Sequence, residues 1–262
     1  MTMVEPSAAS VGNRTGTGRN VIAIASGKGG VGKTWFAITL TQALGQLGGK
    51  CLLFDGDIGL ANVDVQLGLP ARQDLAAVAA GRATLADAVQ AFPAGGFDLV
   101  AGISGSGALA DLDDARQQTL SLAMWRLAQG YRHVVLDLGA GVDGLVRRLI
   151  PPRATVLVLA TDEPTSLTDA YAFIKLTLAD RANADLRIVV NMARGKREGE
   201  RTYGALLRAC QGFLKASPPL AGIVRHDAKV RDAIRHQTAL LIRHPNSEAA
   251  ADVLAIAETL QR

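Results

Sequence analysis

Eight consecutive residues, Gly27-Lys28-Gly29-Gly30-Val31-Gly32-Lys33-Thr34, hold the clearest chemistry in the sequence. They match G-x-x-x-x-G-K-[ST], follow a short apolar run and open a helical pattern, the context in which this motif cradles phosphate. Glycines let successive backbone N–H groups turn inward onto phosphate oxygens. The helix N-terminus adds positive dipole. Lys33 is placed for the β- and γ-phosphates, and the Thr34 hydroxyl for Mg²⁺. The competing explanation is a glycine-rich turn with a chance Gly-Lys-Thr; the strand before it and the helix after it count against that.

Carboxylates and an amide stand at the ends of other apolar runs. Asp55-Gly56-Asp57 closes the run beginning at Cys51, and Asp137 closes His133-Val134-Val135-Leu136. Ligands of open α/β sheets bind beyond the carboxyl ends of strands, so all three carboxylates are well placed. A hydrophobic strand ending in Asp suits the Mg²⁺ shell, which makes Asp137 a metal candidate, directly or through water. Asp98 also neighbours apolar residues, but it starts its strand and is rejected. Asn191 closes Ile188-Val189-Val190, and its amide can donate and accept on a purine edge.

The elements that must position these residues alternate along the chain. Strand-like runs lie at 21–26, 51–54, 97–101, 133–138, 154–160, 186–190 and 220–224. Helical spacing marks 35–47, 113–129, 164–180, 198–215, 227–236 and 247–261. Such alternation predicts one α/β domain over 21–262, a doubly wound, mostly parallel sheet with helices on both faces. Residues 1–20, rich in Ser, Thr, Gly and Ala, are expected to form a disordered tail.

Composition removes several function classes. With 48% hydrophobic and 20% charged residues, the 262-residue chain can bury a core. No apolar run reaches the roughly 18 residues of a membrane span, and the N-terminus lacks an apolar signal core, so a cytoplasmic location is expected. Cys51 and Cys210 form no CxxC pair, which disfavours a cysteine metal site. Aromatic residues, 4% of the chain, are few for a protein that stacks many bases.

Lys28, just after the first glycine, is surplus to an ordinary phosphate loop. K-G-G-x-G-K-[ST] resembles the deviant Walker A motif of the MinD/ParA group of P-loop ATPases. The resemblance implies an ATP–ADP cycle with Mg²⁺ and a homodimer when ATP is bound. Lys28 would reach the partner's phosphates as an arginine finger does. It implies catalytic roles for Lys28, Lys33 and Asp57, with Asp57 orienting the attacking water, and metal roles for Thr34, Asp137 and Asp55. Asn191 and Asp227 would contact the base. Three further stretches, 55–68, 163–172 and 244–250, resemble the flagellar-number regulators FlhG and FleN. That branch implies a flagellar GTPase, switch-complex proteins or a transcription activator as partners, and recruitment to the membrane or pole by one of them.

Several features depart from the group. Residues 1–20 carry no D-Q-A-x-x-L-R segment, which bears on the GTPase partner. Trp35 stands where a smaller polar residue is common, and Arg225 where proline is usual before Asp227. The C-terminal helix carries Glu248, Asp252 and Glu258, which anionic lipid would repel, so weak intrinsic membrane binding is expected. Between Arg194 and Arg243, eleven Lys and Arg face four Asp and Glu. This leaves ParA-type non-specific DNA binding as an alternative, beside MinD-like placement of the division site.

Overall fold

The computed structural model describes residues 20–57, 61–70, 77–78, 82–102, 114–142 and 144–261. The expected tail, except Asn20, lies outside them, as do Ile58, Gly59 and Leu60.

Eight strands form one sheet: β1 (Val21–Ala25), β2 (Cys51–Gly56), β3 (Val89–Phe92), β4 (Phe97–Val100), β5 (His133–Leu138), β6 (Thr155–Ala160), β7 (Asp185–Ala193) and β8 (Leu220–Arg225). Their order is β3-β4-β2-β5-β1-β6-β7-β8. β3 runs antiparallel to β4 and the other pairings are parallel. The helices are α1 (Lys33–Gln46), α2 (Val63–Leu67), α3 (Asp114–Ala128), α4 (Gly144–Arg148), α5 (Pro164–Asp180), α6 (Lys196–Ala209), α7 (Ala228–Arg235), α8 (Leu240–Arg243) and α9 (Glu248–Leu260). A five-residue π turn, Cys210–Leu214, continues α6.

The central strands are buried on both faces, as parallel strands require. Val21, Ala23 and Ala25 of β1 point into one core with Met124 of α3 and Phe173 and Ile174 of α5. Ile22 and Ile24 point into the other, with Phe36 and Leu40 of α1 and Val253 and Ile256 of α9. The two-residue alternation carries down the neighbouring strands. Leu53 of β2 and Val135 of β5 face α1, so Asp55 and Asp137, two residues on, face the same side. These two carboxylates are register partners at the carboxyl ends of adjacent strands.

The expected elements are present, with ends displaced by a few residues. β3 was not foreseen: it is a half-buried edge strand interrupted by Gln90. The short helices α2, α4 and α8 were also missed, being shorter than the window over which helical periodicity is readable. The C-terminal helix is a core element. Ile256 fits so closely over Gly222 of β8 that a Cβ there would lie 2.4 Å from its Cγ1.

Candidate functional site

The phosphate loop joins β1 to α1 at the centre of the sheet. Gly30 and Gly32 take left-handed φ values of 80° and 86°, which favour glycine. Gly27 lies so close to α5 that a Cβ would fall 2.1 Å from the Asp169 carbonyl oxygen. Gly32 precedes α1 without a side-chain cap, so the first-turn N–H groups stay free for an anion.

Lys33 is buried at the base of the loop and donates to Ser26 Oγ at 3.0 Å. Ser26 donates to the Lys28 carbonyl at 2.7 Å, which shapes the loop. Burial lowers the Lys33 pKa, against the opposing pull of Asp137 and Asp57. Asp55 and Asp137 are both 1% exposed. Burial pushes the Asp55 carboxyl up to about 6, against N–H donors from Val63, Asp57 and Asn62. It pushes Asp137 up to about 8, with Asp55 adding repulsion and a Thr34 hydroxyl bond and Lys33 opposing. Asp137 Oδ1 has no hydrogen-bond partner among the described residues. An orphaned buried carboxylate oxygen beside the Thr34 hydroxyl and two further carboxyls is a donor set that fits a hard divalent cation.

The expected residues divide into two groups. Thr34, Lys33, Asp137, Asp55 and Asp57 converge below the loop. Asp55 accepts N–H bonds from Asp57 at 3.1 Å, Asn62 at 3.1 Å and Val63 at 3.2 Å. It therefore orders the segment bearing Asp57. Asp57 abuts Gly139, where a Cβ would lie 3.2 Å from Asp57 Oδ1. Gly141 N–H donates to the Ser26 carbonyl at 3.0 Å. The loop after β5 thus touches both Asp57 and the start of the phosphate loop.

Lys28 does not join that group. Its ammonium donates to Glu163 Oε2 at 2.6 Å and to Thr165 Oγ1 at 3.0 Å, at the half-exposed rim. Glu163 lies in the stretch 163–172, where the signal for such a role is an acidic residue before a helix-opening proline. Asn191 is buried, and its Nδ2 donates to the Val31 carbonyl at 2.8 Å. Asp227 caps α7, accepting from the Lys229 N–H at 2.9 Å and the Ala249 N–H at 3.4 Å. Arg225, in place of proline, binds Asp252 at 2.8 Å and Glu248 at 2.6 Å, tying β8 to α9. Trp35 belongs to the core. Asp98 lies at the opposite end of the sheet, accepting from Tyr131.

The family model for the CobQ/CobB/MinD/ParA nucleotide binding domain matches residues 22–240. The antiactivator FleN of Pseudomonas aeruginosa is 37% identical over 238 residues, 91% of this chain and 85% of that protein. The flagellum site-determining protein YlxH of Helicobacter pylori is 29% identical, over 91% of this chain and 81% of that one. In fold, the septum site-determining protein MinD of Pyrococcus horikoshii OT3, solved with Mg-ADP, superposes with a TM-score of 0.77 at 24% identity, covering 93% of this chain and 96% of that one. Phosphate loop, doubly wound sheet and these similarities together place the chain in the CobQ/CobB/MinD/ParA nucleotide-binding family.

Proposed function

We propose that the protein is a regulatory ATPase switch that dimerises on ATP and hydrolyses it slowly to ADP and phosphate. The observation that carries this is the division of labour between two lysines. Lys33 is buried beneath its own loop, whereas Lys28 stands at the rim, where a second copy can meet it. Lys33 and the loop amides hold the phosphates. Asp57 orients water for attack on the γ-phosphorus, and the bond to the β-phosphate oxygen breaks as the new P–O bond forms. Lys28 of one protomer stabilises the charge that develops on the other's phosphates. Thr34 and Asp137 would hold Mg²⁺, with Asp55 behind them; a bound Mg²⁺ would supply neutralising charge to the phosphates. Asn191 and the loop ordered by Asp227 form the base side.

The similarity to FleN and YlxH supports control of flagellar number or placement as the output. The partners would then be a flagellar GTPase, switch-complex proteins or a transcription activator. The test is capture from the native host by Asp57→Ala protein held in Mg-ATP, against an ADP control. Enrichment of flagellar proteins supports the reading. Enrichment of division proteins or chromosome-bound proteins contradicts it. One observation favours the second of these outcomes: Arg194, Lys196, Arg197, Arg201, Arg231 and Arg235 are all exposed. DNA retention that needs ATP and vanishes with salt would establish that ParA-like alternative.

A further inference from the structure

The amino ends of the central strands form a cleft at the other end of the sheet from the phosphate loop. It measures about 610 Å³, within the ~300–1,000 Å³ of small-molecule sites. Arg132, Arg153 and Arg187 line it together with His133, Thr155 and Asp185. Strand register sets this wall. Ile22 of β1 points towards α1 and α9 and pairs with Thr155, which pairs with Asp185. Thr155, Asp185 and, two residues on, Arg187 therefore face the same side. Each arginine is placed by a different device. Asp185 accepts from Arg187 Nε at 3.0 Å and Nη2 at 2.9 Å, and from Thr155 Oγ1 at 2.8 Å, which fixes that guanidinium. Arg132 lies across Gly49, where a Cβ would fall 2.8 Å from its Cδ, and donates to the Gly48 carbonyl at 3.2 Å. Arg153 sits in a turn closed by the Ala154 N–H on the Pro151 carbonyl at 3.1 Å, with Pro151 and Pro152 restricting the backbone. Arg153 is exposed and makes no hydrogen bond or ion pair among the described residues. His133 Nε2 is buried and likewise unpartnered among them.

A run of cations is usually a solvated face. These three converge on one concavity instead, against a single carboxylate, and an enclosed ring nitrogen without a partner is not what a solvated face leaves behind. Guanidinium forks pair bidentately with carboxylates and phosphates. A carboxylate carries one charge and fills one fork. A phosphate monoester carries close to two charges on three terminal oxygens, which matches the surplus of three arginines over one aspartate and engages two forks at once. We propose that this cleft binds a phosphate dianion, borne by a small soluble molecule or by a phosphomonoester lipid headgroup. Arg153 and Arg132 supply the forks, Arg187 adds charge from its seat on Asp185, and His133 Nε2 gains its missing partner. Ile22 and Leu260 give an apolar wall to the group that carries the phosphate. β1 and β5 run from this cleft to the phosphate loop and Asp137, so one chain can hold both ligands at once, at opposite ends of the same strands.

The test keeps the full chain in saturating Mg-ADP, so that the phosphate loop is occupied, and titrates it with inorganic phosphate and with pyrophosphate. Ring signals of the four histidines are followed by NMR, with His133 assigned through His133→Gln. The His133 signals should shift and saturate while those of His226, His236 and His244 stay in place. Arg153→Ala, at an exposed turn position, should keep the thermal midpoint and bind about tenfold more weakly. Arg208→Ala, an exposed arginine on α6, should bind as the wild type does. In a second arm the same proteins are sedimented with phosphatidylcholine vesicles with and without phosphatidic acid. Binding of the free anions that depends on Arg153 assigns a soluble ligand; co-sedimentation with phosphatidic acid that depends on Arg153, without such binding, assigns a headgroup. If neither arm depends on Arg153, or if Arg208→Ala weakens binding as much, the cleft selects nothing and the inference falls, leaving the switch reading as it stands.

Discussion

Asp55 and Asp137 are pushed up to about 6 and about 8 by burial under the phosphate loop. Both values exceed the 3.8 of an ordinary aspartate, so between about pH 4 and pH 8 the folded state keeps protons that the unfolded chain has lost. Stability of the nucleotide-free protein should therefore fall as pH rises through that window. Asp137→Asn should flatten this slope and leave the variant more stable than the wild type at pH 8, on the order of 1–3 kcal/mol. The same variant should lose the Mg²⁺-dependent thermal stabilisation by nucleotide. Denaturant titrations at pH 5 and pH 8, with and without Mg-ADP, check both; an unchanged slope would mean that Asp137 ionises normally. Lys33→Met removes the buried ammonium and should weaken nucleotide binding at least ~100-fold in equilibrium titration. Much of this chemistry was legible from residue types. Lys33, Thr34, Asp57 and Asp137 lie within one motif or at strand ends, and alternation alone brings Asp55 and Asp137 to the same face. What Asp55 does was not legible, because its partners are backbone N–H groups of a loop whose path no periodicity encodes.

Among the elements, α5 has the most direct bearing on the switch. Its N-cap residue, Glu163, makes no capping bond and instead holds Lys28 across 135 positions of sequence. A lysine so held must leave Glu163 and Thr165 before it can serve a partner. Exposed pairs of this kind contribute only about 0–1 kcal/mol, so the hold is weak enough to release. Glu163→Gln should keep its thermal midpoint and lower the ATP concentration for half-maximal dimerisation by about two- to fivefold, read by sedimentation across an ATP titration. An unshifted curve would show the pair to be idle. α9 makes the opposite case, of an element bound into the core. Ile256 is 2% exposed and interlocks with Gly222, so Ile256→Ala should cost about 2–5 kcal/mol by denaturant unfolding. A cost near zero would mean a detachable helix, as a membrane anchor requires. Elements of a dozen residues were legible because one face repeats apolar residues at helical spacing. The helices α2, α4 and α8 were not, because four or five residues hold barely one helical period, and β3 was not, because Gln90 interrupts its apolar run.

Over the whole molecule, the carboxyl ends of the central strands gather the loops after β1, β2 and β5 into one contiguous surface. On it, Asp57 touches Gly139, Gly141 bonds Ser26, and Lys28 stands at the edge. In the proposed dimer, these contacts would pass a change at the γ-phosphate to the loops that meet the second copy. Asp57→Ala should bind ATP, slow hydrolysis on the order of 10²-fold and accumulate as the dimer. Whether Lys28 acts across the dimer is decided by sedimentation and ATP turnover of the wild type and Lys28→Ala in Mg-ATP and Mg-ADP. The wild type should be a dimer in Mg-ATP and a monomer in Mg-ADP. Lys28→Ala should bind nucleotide, remain monomeric and turn over about 10³-fold more slowly. A Lys28→Ala protein with wild-type turnover, or a wild type with the same mass in both nucleotides, would contradict it.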